Sequence, residues 1–131
     1  MSFCSVYIPV GVPTYHLETA KDQFDRSCRM LRSVDPDIVC PDEMLLTLDK
    51  LRAFLDGANP DLVIFQNLTF ANAAMMAEVL RRFDCPVLLW TLREPVIDGG
   101  RLRLNSLTGA YSAANTLSAF GGRAFGRDSP F

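Results

Sequence analysis

Hydrophobic and polar positions along this chain switch repeatedly between two periods. Residues 3–10 form a short apolar run rich in β-branched and aromatic side chains, the pattern of a central strand, and Pro9, Gly11 and Pro13 break it into a loop. From residue 17 the period lengthens. Leu17, Ala20, Phe24, Cys28 and Leu31 recur at steps of three and four, while Lys21, Asp22, Asp25, Arg26 and Arg29 fill the other face. This predicts a helix with one side on a sheet, Thr14 as its cap and Glu18 complementing the helix dipole.

The alternation continues. Asp37, Ile38, Val39 and Cys40 predict a second strand, ended by Pro41. Thr47 predicts the cap of a second helix that turns Leu48, Leu51 and Leu55 inward, with Gly57 where a left-handed residue closes it. Residues 62–65 are unbroken apolar, which marks a strand covered on both faces. A third helix is expected from about residue 70, using Ala73, Ala74, Ala77 and Leu80 inward. Residues 86–90 predict a buried strand ending in Trp90, and Gly99 and Gly100 mark a chain reversal beyond it. Asn105 or Ser106 can cap a last helix over 107–120, which carries no charge and small side chains almost all round. Such a helix is expected to pack on more than one side. The glycine-rich tail, 121–131, reads as a weak fifth strand or a frayed end.

Strand and helix alternating four times with short connections give a parallel sheet wound by right-handed crossovers. The expected fold is α/β: a flavodoxin-like (Rossmann-like) three-layer sandwich with a parallel sheet of four to five strands, a single domain over residues 1–131.

Composition narrows the partners. With 131 residues, 49% apolar and 21% charged, the chain has the make-up of an ordinary globular domain. A net charge of -2 gives no electrostatic reason to expect nucleic acid or an anionic membrane. No apolar run is long enough to cross a bilayer, and the first residues lack the basic start of a signal peptide. Cys4, Cys28, Cys40 and Cys85 are irregularly spaced in apolar surroundings, which predicts free thiols in a reducing cytoplasm.

The candidate chemistry gathers where strands end. The loop after the first strand has no Gly-x-Gly-x-x-Gly, and Pro13 and Tyr15 obstruct a pyrophosphate; there is no P-loop either. His16 is the single histidine, so no two-histidine metal cluster can form in one chain. At the start of a helix it can contact a ligand or act as a surface or capping residue. Trp90 is a core residue or a platform on which a sugar ring stacks. Glu94 is a general base or, lacking a partner carboxylate or metal, a salt-bridge partner for Arg93, Arg101 or Arg103. Gln66, Asn67, Thr69, Asn105 and Ser106 each read as a local structural group or as a ligand contact.

Several of these stretches carry a resemblance. Leu88-Leu89-Trp90, Glu94-Pro95, the run Arg103 to Gly109, Gln66-Asn67-Leu68-Thr69-Phe70-Ala71 and Pro13-Thr14-Tyr15-His16-Leu17-Glu18 resemble, in order and spacing, the amino-terminal domain of the L-fucose/L-arabinose isomerase family. That family interconverts aldoses and ketoses with manganese or another divalent metal. Its metal and its acid/base carboxylates lie in later domains absent from this sequence. The resemblance therefore implies a domain that caps the substrate, contributes to a homo-oligomer and has no catalytic or metal-binding residue of its own. Tyr15, His16 and Trp90 would contact the sugar, with Asn67, Phe70, Glu94 and Asn105 completing the set. They would orient a polyol and exclude water. The alternative is a stand-alone flavodoxin-like binding or assembly module without catalysis.

Overall fold

The computed structural model describes residues 3–120. The order of elements is β1 (Ser5–Val10), α1 (Leu17–Val34), α2 (Leu48–Leu55), β2 (Leu62–Asn67), α3 (Ala73–Arg82), β3 (Val87–Thr91) and α4 (Ser106–Ala119). The strands form one parallel sheet in the order β1-β2-β3, with Val10 paired to Asn67 and Asn67 to Thr91 at its carboxyl edge. This is an α/β fold consistent with the flavodoxin-like expectation, on a smaller sheet. The tail at 121–131 lies outside the described residues.

The period of two separates the faces. Val6, Ile8, Val10, Val63, Phe65 and Val87 turn toward Leu51, Leu55, Met75, Met76, Val79, Ala113 and Leu117 of α2, α3 and α4. Tyr7 and Ile64 turn the other way, toward Ala20, Phe24 and Cys28 of α1. Helices thus cover both faces.

The strand expected at 37–40 is reduced to two isolated bridges, Val6 with Val39 and Val10 with Leu45. Six residue steps from Val39 to Leu45 are matched by only four from Val6 to Val10, so the intervening chain loops out. The cause is proline. Tyr7 donates its N–H to Val39 O (2.9 Å) on this side of β1, and Gly11 donates to Leu45 O (3.3 Å). The amide between them in that row belongs to Pro9, which has none, and Pro41 removes another from the facing segment. The bridged segment still shields the β1 edge.

Other local readings shift. His16, rather than Thr14, caps α1: its Nδ1 accepts from Thr19 N–H at 3.3 Å. Thr47 caps α2 as expected, and Gly57 takes its left-handed conformation at φ 76°. Asn72 caps α3, whose inward face is Met75, Met76, Val79 and Leu80 instead of the alanines; Ala73 and Ala74 are exposed. The larger side chains bury more apolar area and so decide the rotation. β3 is an edge strand: only Val87 is fully buried, and Leu88 is exposed. α4 buries Gly109, Ala110, Ala113, Thr116 and Leu117 on one face and exposes Leu107 and Tyr111 on the other.

Candidate functional site

The segment 101–105 ties the carboxyl-edge loops together. Arg103 O accepts from His16 N–H (3.0 Å), and Leu104 O accepts from Phe70 N–H (2.8 Å). On its amide side, Glu94 accepts from the N–H groups of Arg103 (2.8 Å), Leu104 (3.1 Å) and Asn105 (2.9 Å). The Leu104 side chain is fully buried against the α1 layer. One short segment therefore fixes the loops after all three strands. Thr69 adds a fourth tie, accepting from Val12 N–H at 2.9 Å and donating to Phe70 O at 2.8 Å.

This corrects the reading of Glu94. It pairs with none of Arg93, Arg101 or Arg103 through their side chains; its carboxylate is taken up by three successive backbone amides, which makes it a brace. Asn105 sits at the cap position of α4 at φ 53°, but its side chain accepts from Thr108 Oγ1 (2.8 Å) instead of a helix amide. Ser106 donates to Leu68 O (2.8 Å). Gln66 is fully buried and bonded to Tyr7 and Ser27, so it belongs to the core.

Two of the predicted site residues meet in one place. A shallow cavity of about 290 Å³ is lined by Thr14, Tyr15, His16, Arg101, Leu102 and Arg103. Phe70 stands at its border, its ring tilted against Tyr15 with centroids 6.4 Å apart. The Arg101 guanidinium lies 5.5 Å over the Tyr15 ring, within the range of a cation–π contact. His16 Nδ1 is engaged by Thr19, both by its N–H and by its hydroxyl at 2.6 Å. A ring nitrogen that accepts from a backbone amide carries no proton, which leaves Nε2–H as the donor of the ring.

The remaining candidates lie apart. Trp90 is half-buried against the α1 layer and lines a separate hollow of about 250 Å³ with Gln23, Arg26, Ser27, Met30 and Leu92. Asn67 is 2% exposed. A Cβ placed on Gly109 would lie 2.8 Å from its Nδ2, so α4 is seated directly on it. Its Oδ1 has no partner, and neither has the buried hydroxyl of Thr91, its register neighbour in β3. Arg101 and Arg103 entered the sequence reading only as partners for Glu94. Their alternation with Leu102 and Leu104 after the glycine pair was the available signal, since it puts the two cations on one side of an extended segment.

Burial governs the titratable groups behind the site. It pushes the Tyr7 hydroxyl far above its ordinary range, and raises the Cys28 thiol to about 11, with Cys40 alongside adding to the effect. Cys40 is raised by burial too, against the opposing pull of Arg32. None of the four cysteines forms a disulfide among the described residues. Among the described residues no three His, Cys, Asp or Glu side chains converge, so the groups present do not fit a divalent metal. No helix among them is long and apolar enough to cross a membrane.

Comparison with known proteins gives a consistent set of names. The chain is 62% identical over 115 residues to a sulfoquinovose isomerase of Clostridium sp. (strain MSTE9), covering 88% of this chain and 26% of that protein. It is 37% identical over 115 residues to the sulfoquinovose isomerase of Priestia aryabhattai, covering 86% and 26%. It is 34% identical over 114 residues to that of Alkalicoccus urumqiensis, covering 86% and 25%. The chain thus spans about a quarter of the length of these curated relatives. No protein-family model matches it, and no solved structure does. The relatives are named as isomerases of a sugar, the reaction class that the resemblance implied, although none bears the fucose or arabinose name.

Proposed function

We propose that this chain is the amino-terminal, substrate-capping and oligomerisation domain of an aldose–ketose isomerase that acts on sulfoquinovose. The observation that carries the reading is the 62% identity over 115 residues to a protein of that name. The site geometry supports it. Tyr15, His16 and Phe70 form a rim of two aromatic faces and one ring N–H donor on loops braced by Glu94. Such a rim stacks on the apolar face of a sugar, donates to a hydroxyl and keeps water out. These groups position the substrate; proton transfer falls to residues outside this chain. Manganese or another divalent metal would belong there as well, where it would polarise the carbonyl and hydroxyl oxygens being interconverted. The uncharged outer face of α4, with Leu107 and Tyr111 exposed beside the open β3 edge, supports an association surface for further domains or subunits.

The test is a chimera in which the 115 matching residues of the Clostridium relative are replaced by those of this chain. Conversion of sulfoquinovose to its ketose is expected to persist in the chimera. It should vanish when the segment is deleted. A folded, oligomeric chimera without activity would refute the proposal.

A further inference from the structure

We propose that the cavity between residues 14–16 and 101–103 is an anion subsite that receives the sulfo group of a sulfonated sugar. This rests on the functional reading above and adds residues to it: Arg101 and Arg103 as the determinants of substrate charge, with His16 Nε2–H beside them.

The charge pattern points to an anion. Two arginines are among the residues that line the cavity and no acidic residue is. Elsewhere on the described surface many of the cations are paired: Lys21 with Asp25, Arg26 with Asp22, Lys50 with Glu43, Arg52 with Asp49 and Glu78, and Arg82 with Glu78. Among the described residues Arg101 and Arg103 form no ion pair, although the chain as a whole is acidic. The acids of their own loop are committed to backbone. Both oxygens of Glu94 accept from the amides of residues 103–105, and Asp98 Oδ1 accepts from Gly100 N–H at 3.0 Å.

One of the two arginines is held through its side chain and the other through its backbone. Arg101 is stacked over Tyr15, and the Arg103 backbone is bonded at both its N–H and its C=O. Ordering the Arg101 side chain and the Arg103 backbone in advance lowers the entropy lost on binding. The α1 amides are not the basis of the site, because His16 already caps that helix.

The ligand class follows from donor count. A guanidinium offers only donors, in a planar fork suited to oxyanions. A sulfo group offers three acceptor oxygens, no donor and a charge that persists at any working pH. Neutral hydroxyls, each carrying a proton to place, match this lining less well. A cavity of about 290 Å³ has room for one sugar unit, at the small end of ligand pockets.

The experiment is an NMR titration of this chain with sulfoquinovose, with quinovose, which lacks the sulfo group, and with inorganic sulfate. Sulfoquinovose is expected to shift the side-chain signals of Arg101 and Arg103, and quinovose at equal concentration to leave them unmoved. The R101Q/R103Q double variant should bind sulfoquinovose roughly tenfold more weakly or worse. Its thermal melt should stay unchanged, since both side chains are exposed. Arg101→Lys should recover part of the affinity, and added salt should weaken binding. Equal binding of quinovose, unchanged affinity in the double variant, or no response to sulfoquinovose would overturn the assignment. Sulfate binding as tightly as sulfoquinovose would overturn the assignment to a sugar. The two readings fail separately. An active chimera whose KM for sulfoquinovose is unaffected by R101Q/R103Q sinks the subsite alone, whereas arginine-dependent binding beside an inactive chimera sinks the capping role alone.

Discussion

The two faces of the sheet are built on different principles. Toward α2, α3 and α4 the core is apolar, with Ile8, Phe65, Met76, Val79 and Leu117 in one cluster. That face is held by shape, with α4 lowered until Gly109 meets Asn67 and the backbone of Phe70 and Ala71. Toward α1 the core contains a buried hydrogen-bond chain: the Tyr7 hydroxyl donates to Gln66 Oε1, and Gln66 Nε2 donates to Ser27 Oγ at 3.2 Å. Apolar packing tolerates small sliding, but a buried polar chain has one satisfied arrangement. The polar chain fixes α1 against β2, and the α1 layer also seats Leu104 below the candidate site. Precision is thus concentrated on the face that carries His16 and residues 101–105.

Four substitutions sharpen this contrast. The largest effect is expected from Phe65→Ala on the apolar face, where a 1% exposed ring leaves a cavity. Urea denaturation should show a loss of about 3–5 kcal/mol; a loss below about 1 kcal/mol would mean that the face collapses freely around the gap. Tyr7→Phe on the other face removes no volume of consequence, yet it leaves Gln66 Oε1 without its donor. It should cost about 1–3 kcal/mol. The double variant with Gln66→Leu should cost less than the sum of the two single changes, since both members of the pair are then apolar. Simple additivity would break the comparison.

The smallest effect concerns the charged intruder on the apolar side. Glu78 is buried and accepts from Arg82 Nε (2.8 Å) and Arg52 Nε (3.2 Å). Its hydrogen bond with Arg82 holds its pKa below the usual value, against the opposing effect of burial and with help from Arg52. A folded-state pKa below the unfolded one stabilises the fold above the unfolded value, near about 4.3 for glutamate. That contribution is lost as pH falls through the folded value. Glu78→Gln should therefore be less stable than the parent at pH 7, and the gap should close as the pH drops through the carboxylate range. A gap independent of pH, in chemical melts of both proteins, would contradict the assignment.

What was legible in the sequence was whatever depends on neighbours along the chain. The apolar runs over residues 3–10 and 62–65 form the two buried strands, and the steps of three and four form α1, as expected. Thr47 and Gly57 act on backbone within one turn of themselves, so their roles were readable too. The strand at 37–40 failed because its partner amide, at Pro9, lies far away in sequence. The candidate site was legible as a set of loops: Tyr15 and His16 do line one cavity, with Phe70 at its border. It was not legible as a constellation, because Trp90 belongs to another hollow and Asn67 lies under α4.

The sequence by itself determined the α/β alternation and the loops that carry the candidate site. Hydrophobic period, caps and turn residues act locally, and a single chain carries that information in its order. Only the tertiary structure decided that Glu94 is a brace, that the second strand shrinks to two bridges, and that Arg101 and Arg103 join His16 around a cavity without acid. Each of these depends on hydrogen-bond partners or packing surfaces brought together from distant positions. A carboxylate's role is set by which donors reach it in space, and no spacing along the chain records that.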